Sequence, residues 1–294
     1  MSLWQWVKPV LIQTAIISVI VFCLFVLVEV LVIRFGQIIE KAFVKRRWVQ
    51  YLVSSLAGSV PGCTGTFFID AMYMAGIASF GAIVAAMVST CGDEAFVLLS
   101  QLAVSNSINI KTLSMLFGSL FVLGIFAGWL ADTVAKAIKL KVCEKCLIEK
   151  HPEIDTTHIR LIPIGHFVKE HIWGHIIKKH MISIVFWIFI SLLFVKFIGQ
   201  FIYMEQIITH NKYMLLLVAA VVGILPVSGP NILFVTLFAQ GILPFSIMLT
   251  NSIVQDGHGL LPILGFSIGD ALKIKIFNLA FGLIVGFILM AFGI

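Results

Sequence analysis

Asp93, Glu94, Asp256 and His258 are ionisable side chains set inside long apolar tracts, accompanied by Cys63, Thr64, Cys91, Ser228, Asn231 and Gln255. A charge within a bilayer costs at least about 2.5–3.5 kcal/mol even on the mildest insertion scale, so such residues point to a substrate or ion pathway. Carboxylate, amide and imidazole donors suit a divalent cation of intermediate hardness such as manganese, and thiols shift the preference toward softer metals. Asp93, Glu94, Asp256, His258, Asn231 and Cys91 are therefore candidate metal ligands, with Cys63, Thr64, Ser228 and Gln255 completing a candidate substrate site. Asp70, Asp93, Glu94, Asp256 and His258 are candidates for carrying protons. Two plainer readings compete: a Gly-Pro break can simply kink a helix, and Asp93 or Asp256 can cap an adjacent half-helix. Half-helix N-termini also carry partial positive charge and could hold an anion.

These residues lie at helix-breaking tracts, and the tracts recur. Gly58-x-x-Pro61, Gly76-Ile77-x-x-Phe80 and Gly92 return as Gly223-x-x-Pro226, Gly241-Ile242-x-x-Phe245 and Gly257, each pair 165 residues apart. The same offset carries the apolar segment at about 9–33 onto 181–203, and 113–135 onto the C-terminal segment. A backbone break at membrane depth leaves amides and carbonyls unpaired, which is tolerated only against protein, a water-filled cavity or a ligand. Four breaks in two matching pairs predict that their side chains converge near the membrane midplane. Matching is not identity, because Asp93 aligns with His258 and Cys91 with Asp256. The predicted site is chemically lopsided.

Composition sets the solvent. With 60% hydrophobic residues, 12% charged residues and a mean hydropathy of +1.09, the chain has too little polar surface for a water-facing globule. The first segment, Val10 to Ile33, reads as a retained span. The net charge of +6 is concentrated in two stretches, Lys41 to Arg47 and Lys136 to Lys179, which the positive-inside tendency assigns to the cytoplasm. Nucleic-acid binding is not needed to explain it. An even number of crossings must then separate the two stretches, so the middle apolar tract, 76–107, is expected to count as two passes. Its arms of roughly 15 residues reach about 22 Å, short of a ~30 Å hydrocarbon core, which leaves short tilted spans or a re-entrant hairpin. The second half then starts inside, has its 204–212 loop outside, its 271–275 connection inside with Lys273 and Lys275, and its C-terminus outside. Each half makes an odd number of crossings, and the repeats are inverted. The expected fold is all-α and polytopic: residues 1–135 and 181–294 form two inverted repeats of about five segments each, joined by a cytoplasmic linker at 136–180. Both termini are expected outside a plasma membrane.

The Pro61-Gly62-Cys63-Thr64-Gly65 break, the tract Ser89 to Phe96, the tract Leu225 to Asn231 and Asp256-Gly257-His258-Gly259 resemble the family of ten-transmembrane heavy-metal exporters. Its members go by names such as arsenic efflux protein or manganese transporter. The resemblance covers essentially the full chain and implies efflux of a metal or metalloid. Residues and resemblance together predict a secondary exporter of a manganese-like divalent cation working by alternating access and coupled to protons. The alternative is export of arsenite, an organoarsenical or another small anionic or neutral solute held by half-helix dipoles and thiols. No enzymatic activity and no cofactor are expected. The expected partners are the transported ion or solute and the lipid bilayer, with room for a homo-oligomer.

Several polar residues stand apart. Glu29 and Lys196 lie near repeat-equivalent positions and could pair, Asp70 follows the Pro61 break, and Asp270 beside Lys273 and Lys275 is expected at the surface. In the linker, Cys143-x-x-Cys146 with His151 and His158 offers thiolate and imidazole ligands for a zinc-like metal. The stretch 164–179 reads more readily as an amphipathic helix on the cytoplasmic surface. Five cysteines, mostly in apolar segments, suggest free thiols or ligands rather than disulfides.

Overall fold

A computed structural model describes residues 7–20, 46–74, 76–104, 108–142, 211–225 and 229–294, with isolated residues between 22 and 26 and between 182 and 193. Ser228, the linker residues Cys143, Cys146, His151 and His158, the helix expected at 164–179 and the pair Glu29 and Lys196 lie outside the described residues. No strand occurs among the described residues. The helices are α1 (Val7–Ile20), α2 (Arg47–Ser59), α3 (Thr64–Met74), α4 (Phe80–Ser89), α5 (Glu94–Val104) and α6 (Ile110–Ala137). They continue with α7 (Lys212–Gly223), α8 (Asn231–Ala239), α9 (Phe245–Val254), α10 (Leu261–Phe266) and α11 (Ile268–Ala291).

Local sequence sets the boundaries. Val60 is extended, with φ −66° and ψ 125°, because Pro61 disfavours helical geometry in the residue before it, and α2 ends there. Ser79, Asn109 and Ser267 cap α4, α6 and α11 by accepting from the amides of Ala82, Thr112 and Asp270. Gly76 and Gly241 turn the chain between helices at φ 74° and 73°, and Gly92 and Gly257 sit at the break tips at φ 54° and 52°. Only glycine enters this left-handed region without steric cost.

α4 is buried along its whole length and α9 from Ser246 to Val254, and the two pack against each other at the centre. α4 is apolar nearly all round, as a helix enclosed by other helices tends to be, and α9 adds buried Ser246, Thr250, Asn251 and Ser252. Large apolar side chains such as Val122, Ile268 and Ile284 face outward instead. Lipid gives no hydrophobic drive for helices to associate, so close packing through small residues has to supply it. Glycines supply it here. A Cβ on Gly124 would meet Ser55, Ala85 and Ser89, and one on Gly128 would meet Gly81, Ala85 and Tyr51. In the second half a Cβ on Gly282 would meet Ile253 and Val254, and one on Gly286 would meet Thr250 and Leu216. The contacted positions on α2 and α4 match those on α7 and α9 at the 165-residue offset, but the glycines are 158 apart. The last long helix is therefore registered two turns away from the expected alignment of 113–135. A constant offset fails because the connection before α11 is shorter.

The ends of the helices correct the count of passes. Arg47 at the start of α2, Tyr73 and Gly76 at the end of α3, Phe80 at the start of α4, and Lys136 and Lys139 at the end of α6 line one cavity of about 490 Å³. Gln50 bonds to the backbone of Ile77 and Ser79 across the same end. So α2 and α3 return the chain to its starting end, while α4 and α5 leave it. The returning tract is 47–74, not 76–107 as expected from arm length. α2 packs on α3, whereas α4 and α5 do not form a packed pair. Parity between Arg47 and Lys136 survives, because one returning tract has replaced another.

The second half has its own ends. A wide apolar groove is lined by Ser114 and Met115 near the start of α6, Phe245 at the start of α9 and Ile288 near the end of α11. α4 and α9 thus begin at opposite ends of α6. At the Arg47 end, Lys273 donates to the Lys141 carbonyl and pairs with Asp270 at 2.9 Å. The turn expected at 271–275 lies inside α11, and the connection is at Ser267. Asp270, expected at the surface, is 2% exposed and accepts from the Tyr73 hydroxyl at 3.1 Å. Lys275, also expected there, is buried.

Candidate functional site

The breaks after α2, after α4 and after α9 bring three unlike ligand atoms together. The Cys63 thiol, the Asp93 carboxylate and the His258 imidazole offer atoms that all lie within 4.8 Å of one another. His258 Nδ1 is 3.3 Å from Asp93 Oδ2, and Cys63 Sγ is 3.9 Å from Asp93 Oδ1. Tetrahedral bonds of about 2.0–2.3 Å put ligand atoms roughly 3.3–3.7 Å apart; the two separations to Asp93 are near this range, and the thiol and imidazole must draw together to hold a metal ion. Cys63 and Asp93 are buried, and the His258 side chain keeps 26% exposure.

Backbone contacts hold the group. The Gly62 amide donates to the Gly92 carbonyl at 3.0 Å, tying the first break to the tip between α4 and α5. The Gly92 amide donates to the Thr90 hydroxyl, and Thr66 donates to the Cys63 carbonyl at 2.8 Å. Gly259 approaches Thr66 so closely that a Cβ there would clash, which brings the second tip onto α3. Asp93 and His258 occupy equivalent positions of the two halves.

A second layer surrounds the group. Glu94 is buried, faces Asn231 and Gln255, and closes no hydrogen bond with either of its oxygens. Asn251 donates to Asn231 Oδ1 and to the Ala219 carbonyl, each at 2.9 Å, fixing the break before α8. Gln255 is buried with its side-chain oxygen unbonded. Cys91 is buried against Ser252 and is not a member of the ligand group. Thr64 opens α3 and is half-buried. Asp70 is fully buried on α3, near Asp256, with neither oxygen hydrogen-bonded.

Asp256 is engaged elsewhere. Its Oδ2 pairs with Lys275 Nζ at 2.6 Å and its Oδ1 accepts from Asn278 at 2.8 Å. The expectation that both tip acids face one substrate is therefore modified: Asp93 meets His258, while Asp256 meets a lysine. Lys275 and Asn278 were missed because Lys275 reads as part of a basic turn with Lys273. Their spacing of three on an otherwise apolar helix, which puts them on one face, was the available signal. Asp132 was missed as well. It lies on α6 and accepts from the Tyr51 hydroxyl at 2.7 Å and the Gly81 amide at 2.6 Å.

Broken helices whose polar side chains meet inside the bundle are an arrangement that solute transporters use. A sequence profile described as "Putative, 10TM heavy-metal exporter" matches residues 7–194 and 179–292, and the chain belongs to that family. No curated protein and no solved structure matches the chain.

Proposed function

We propose that this metal-efflux protein carries a divalent cation through the group formed by Cys63, Asp93 and His258, with Glu94 beside it. The observation that carries the reading is the convergence of thiol, carboxylate and imidazole, from three separate backbone breaks, within 4.8 Å. Manganese was expected from the acids, amides and imidazole. The Cys63 thiol in the group moves the preference toward zinc or cobalt, since soft ligands discriminate against harder ions. The charge balance supports a cation: Asp70, Asp93, Glu94 and Asp256 are buried, against the buried ammonium of Lys275 and a partly exposed imidazole. Arsenite held by thiols finds less support, because the group contains one cysteine. An anion at the start of α5 would meet Asp93 and Glu94 there.

Alternating access belongs to the same proposal. That α4 and α9 start at opposite ends of α6 supports an inverted repeat, and the contact of Asp93 with His258, equivalent positions of the two halves, supports a single central site. Asp70 and Glu94, whose oxygens lack hydrogen bonds, are the proposed proton carriers. The deciding experiment measures uptake of zinc, cobalt, cadmium and manganese into everted membrane vesicles containing the full-length protein, with Cys63→Ala, Asp93→Asn and His258→Ala in parallel. Saturable uptake of a divalent ion, lost in all three variants, is expected. Transport of arsenite with no divalent ion moving would overturn the proposal.

A further inference from the structure

The Lys275 ammonium sits on the open ends of two helices. It donates to the Val254 carbonyl at 2.9 Å and the Gly223 carbonyl at 3.0 Å, and pairs with Asp256 Oδ2 at 2.6 Å. Gly223 is the last residue of α7 and Val254 the last of α9, so both carbonyls lack intrahelical donors and carry the negative end of a helix dipole. Asn278 donates to Asp256 and keeps its own oxygen without a hydrogen bond. Asp256 and the two carbonyls surround the nitrogen with three oxygens, and Asn278 holds Asp256 in place.

Such a cage is what a hard inorganic cation requires. Unwound carbonyls and half-helix C-termini are the usual donors for a sodium ion in transporters with broken helices. Hard-cation bonds to oxygen run about 2.3–2.6 Å, so the present distances need to shorten by only a few tenths of an ångström. The fold itself does not demand a charge here. At the matched positions of the first half, Asp256 corresponds to Cys91, Lys275 to Phe117 and Asn278 to Leu120, and the ends of α2 and α4 carry no lysine. The cage is an addition in one half.

We propose that Lys275 is a tethered occupant of an inorganic-cation seat built from Asp256 and the carbonyls of Gly223 and Val254, with Asn278 holding Asp256, and that it replaces a sodium ion there. The chain then needs no sodium of its own, and shortening the side chain opens the seat to one.

The test is thermal unfolding of the purified full-length protein in sodium chloride against choline chloride at equal ionic strength, without heavy metal. Wild type should unfold at the same temperature in both salts. Lys275→Ala should be less stable in choline and recover in sodium with saturable dependence. Lys275→Met, which fills the space with apolar atoms, should be insensitive to sodium, and Asp256→Asn in the Lys275→Ala background should abolish the response. If Lys275→Ala does not accumulate, Lys275→Ser must show the same sodium response, since its hydroxyl adds an oxygen to the seat. A saturable sodium effect on wild type, or identical behaviour of both small variants in sodium and choline, overturns the proposal. Because no transported metal enters the assay, its failure is separate from any failure of the proposed substrate.

Discussion

Asp93 has neighbours from both halves, and each makes a different demand on the cargo. Its carboxylate supplies charge, His258 supplies a borderline nitrogen and Cys63 a soft sulfur. Cys63→Ser should leave a hard-ion site: competition binding is expected to show a loss for cadmium and zinc larger than the loss for manganese. Asp93→Asn should lower affinity for every divalent ion by more than the roughly 10–100-fold typical of losing an outer-shell partner, as read by equilibrium metal binding. Asp256→Asn has a different expected outcome. It strips Lys275 of its counter-charge, and leaving a buried charge alone costs about 3–5 kcal/mol, so the variant should accumulate poorly or melt early. The sequence makes the two acids look like one pair of tips. The side chains around them divide their roles.

Helix contacts explain why the breaks stay registered. Gly128 lets α6 close on α4 and α2 where Gly81, Ala85 and Tyr51 lie, and Gly286 does the same for α11 against α9 and α7. Gly128→Leu and Gly286→Leu should each destabilise the protein through overpacking of about 1–3 kcal/mol or more, seen as a lower midpoint of thermal unfolding. Gly118 on the same α6 has open space around it, and Gly118→Ala should be neutral or stabilising. Asp132 anchors the start of α4 through the Gly81 amide and holds the Tyr51 hydroxyl. Asp132→Ala should cost about 1–3 kcal/mol of stability while leaving metal affinity unchanged, because the residue is far along α6 from the breaks. The glycines and prolines of the breaks were legible as a repeated spacing, whereas the packing glycines of α6 and α11, 158 residues apart, fall outside it. Which tract turns back was not, because arm length alone cannot tell a packed hairpin from a broken crossing.

Across the whole molecule, charge and direction can be checked together. The buried acids outnumber the buried cations, so metal should bind with proton release: acidification is expected to weaken binding, since protonated ligands cannot coordinate. Calorimetric titrations in buffers of different ionisation enthalpy would show it, and binding that strengthens toward acid would contradict the proposed ligand set. Direction is open to labelling. In a cysteine-free background, Lys139→Cys and Lys273→Cys should react with an impermeant maleimide from one face of the membrane, and Tyr213→Cys and Phe292→Cys from the other. Reaction of all four from the same face would remove the inverted arrangement.

Composition and spacing alone determined that this chain lives in lipid, that it breaks its helices at repeated positions and that ionisable and polar side chains sit at those breaks. These are local consequences of apolar content, of proline and glycine geometry, and of the cost of placing charge in hydrocarbon. Only the tertiary structure decided that Cys63 joins Asp93 and His258, that Asp256 faces Lys275, that 47–74 is the returning tract and that α11 is shifted by two turns. Partner choice among buried groups depends on how helices from different halves dock. That docking is set by close packing of small residues, whose contacts join positions far apart in the chain.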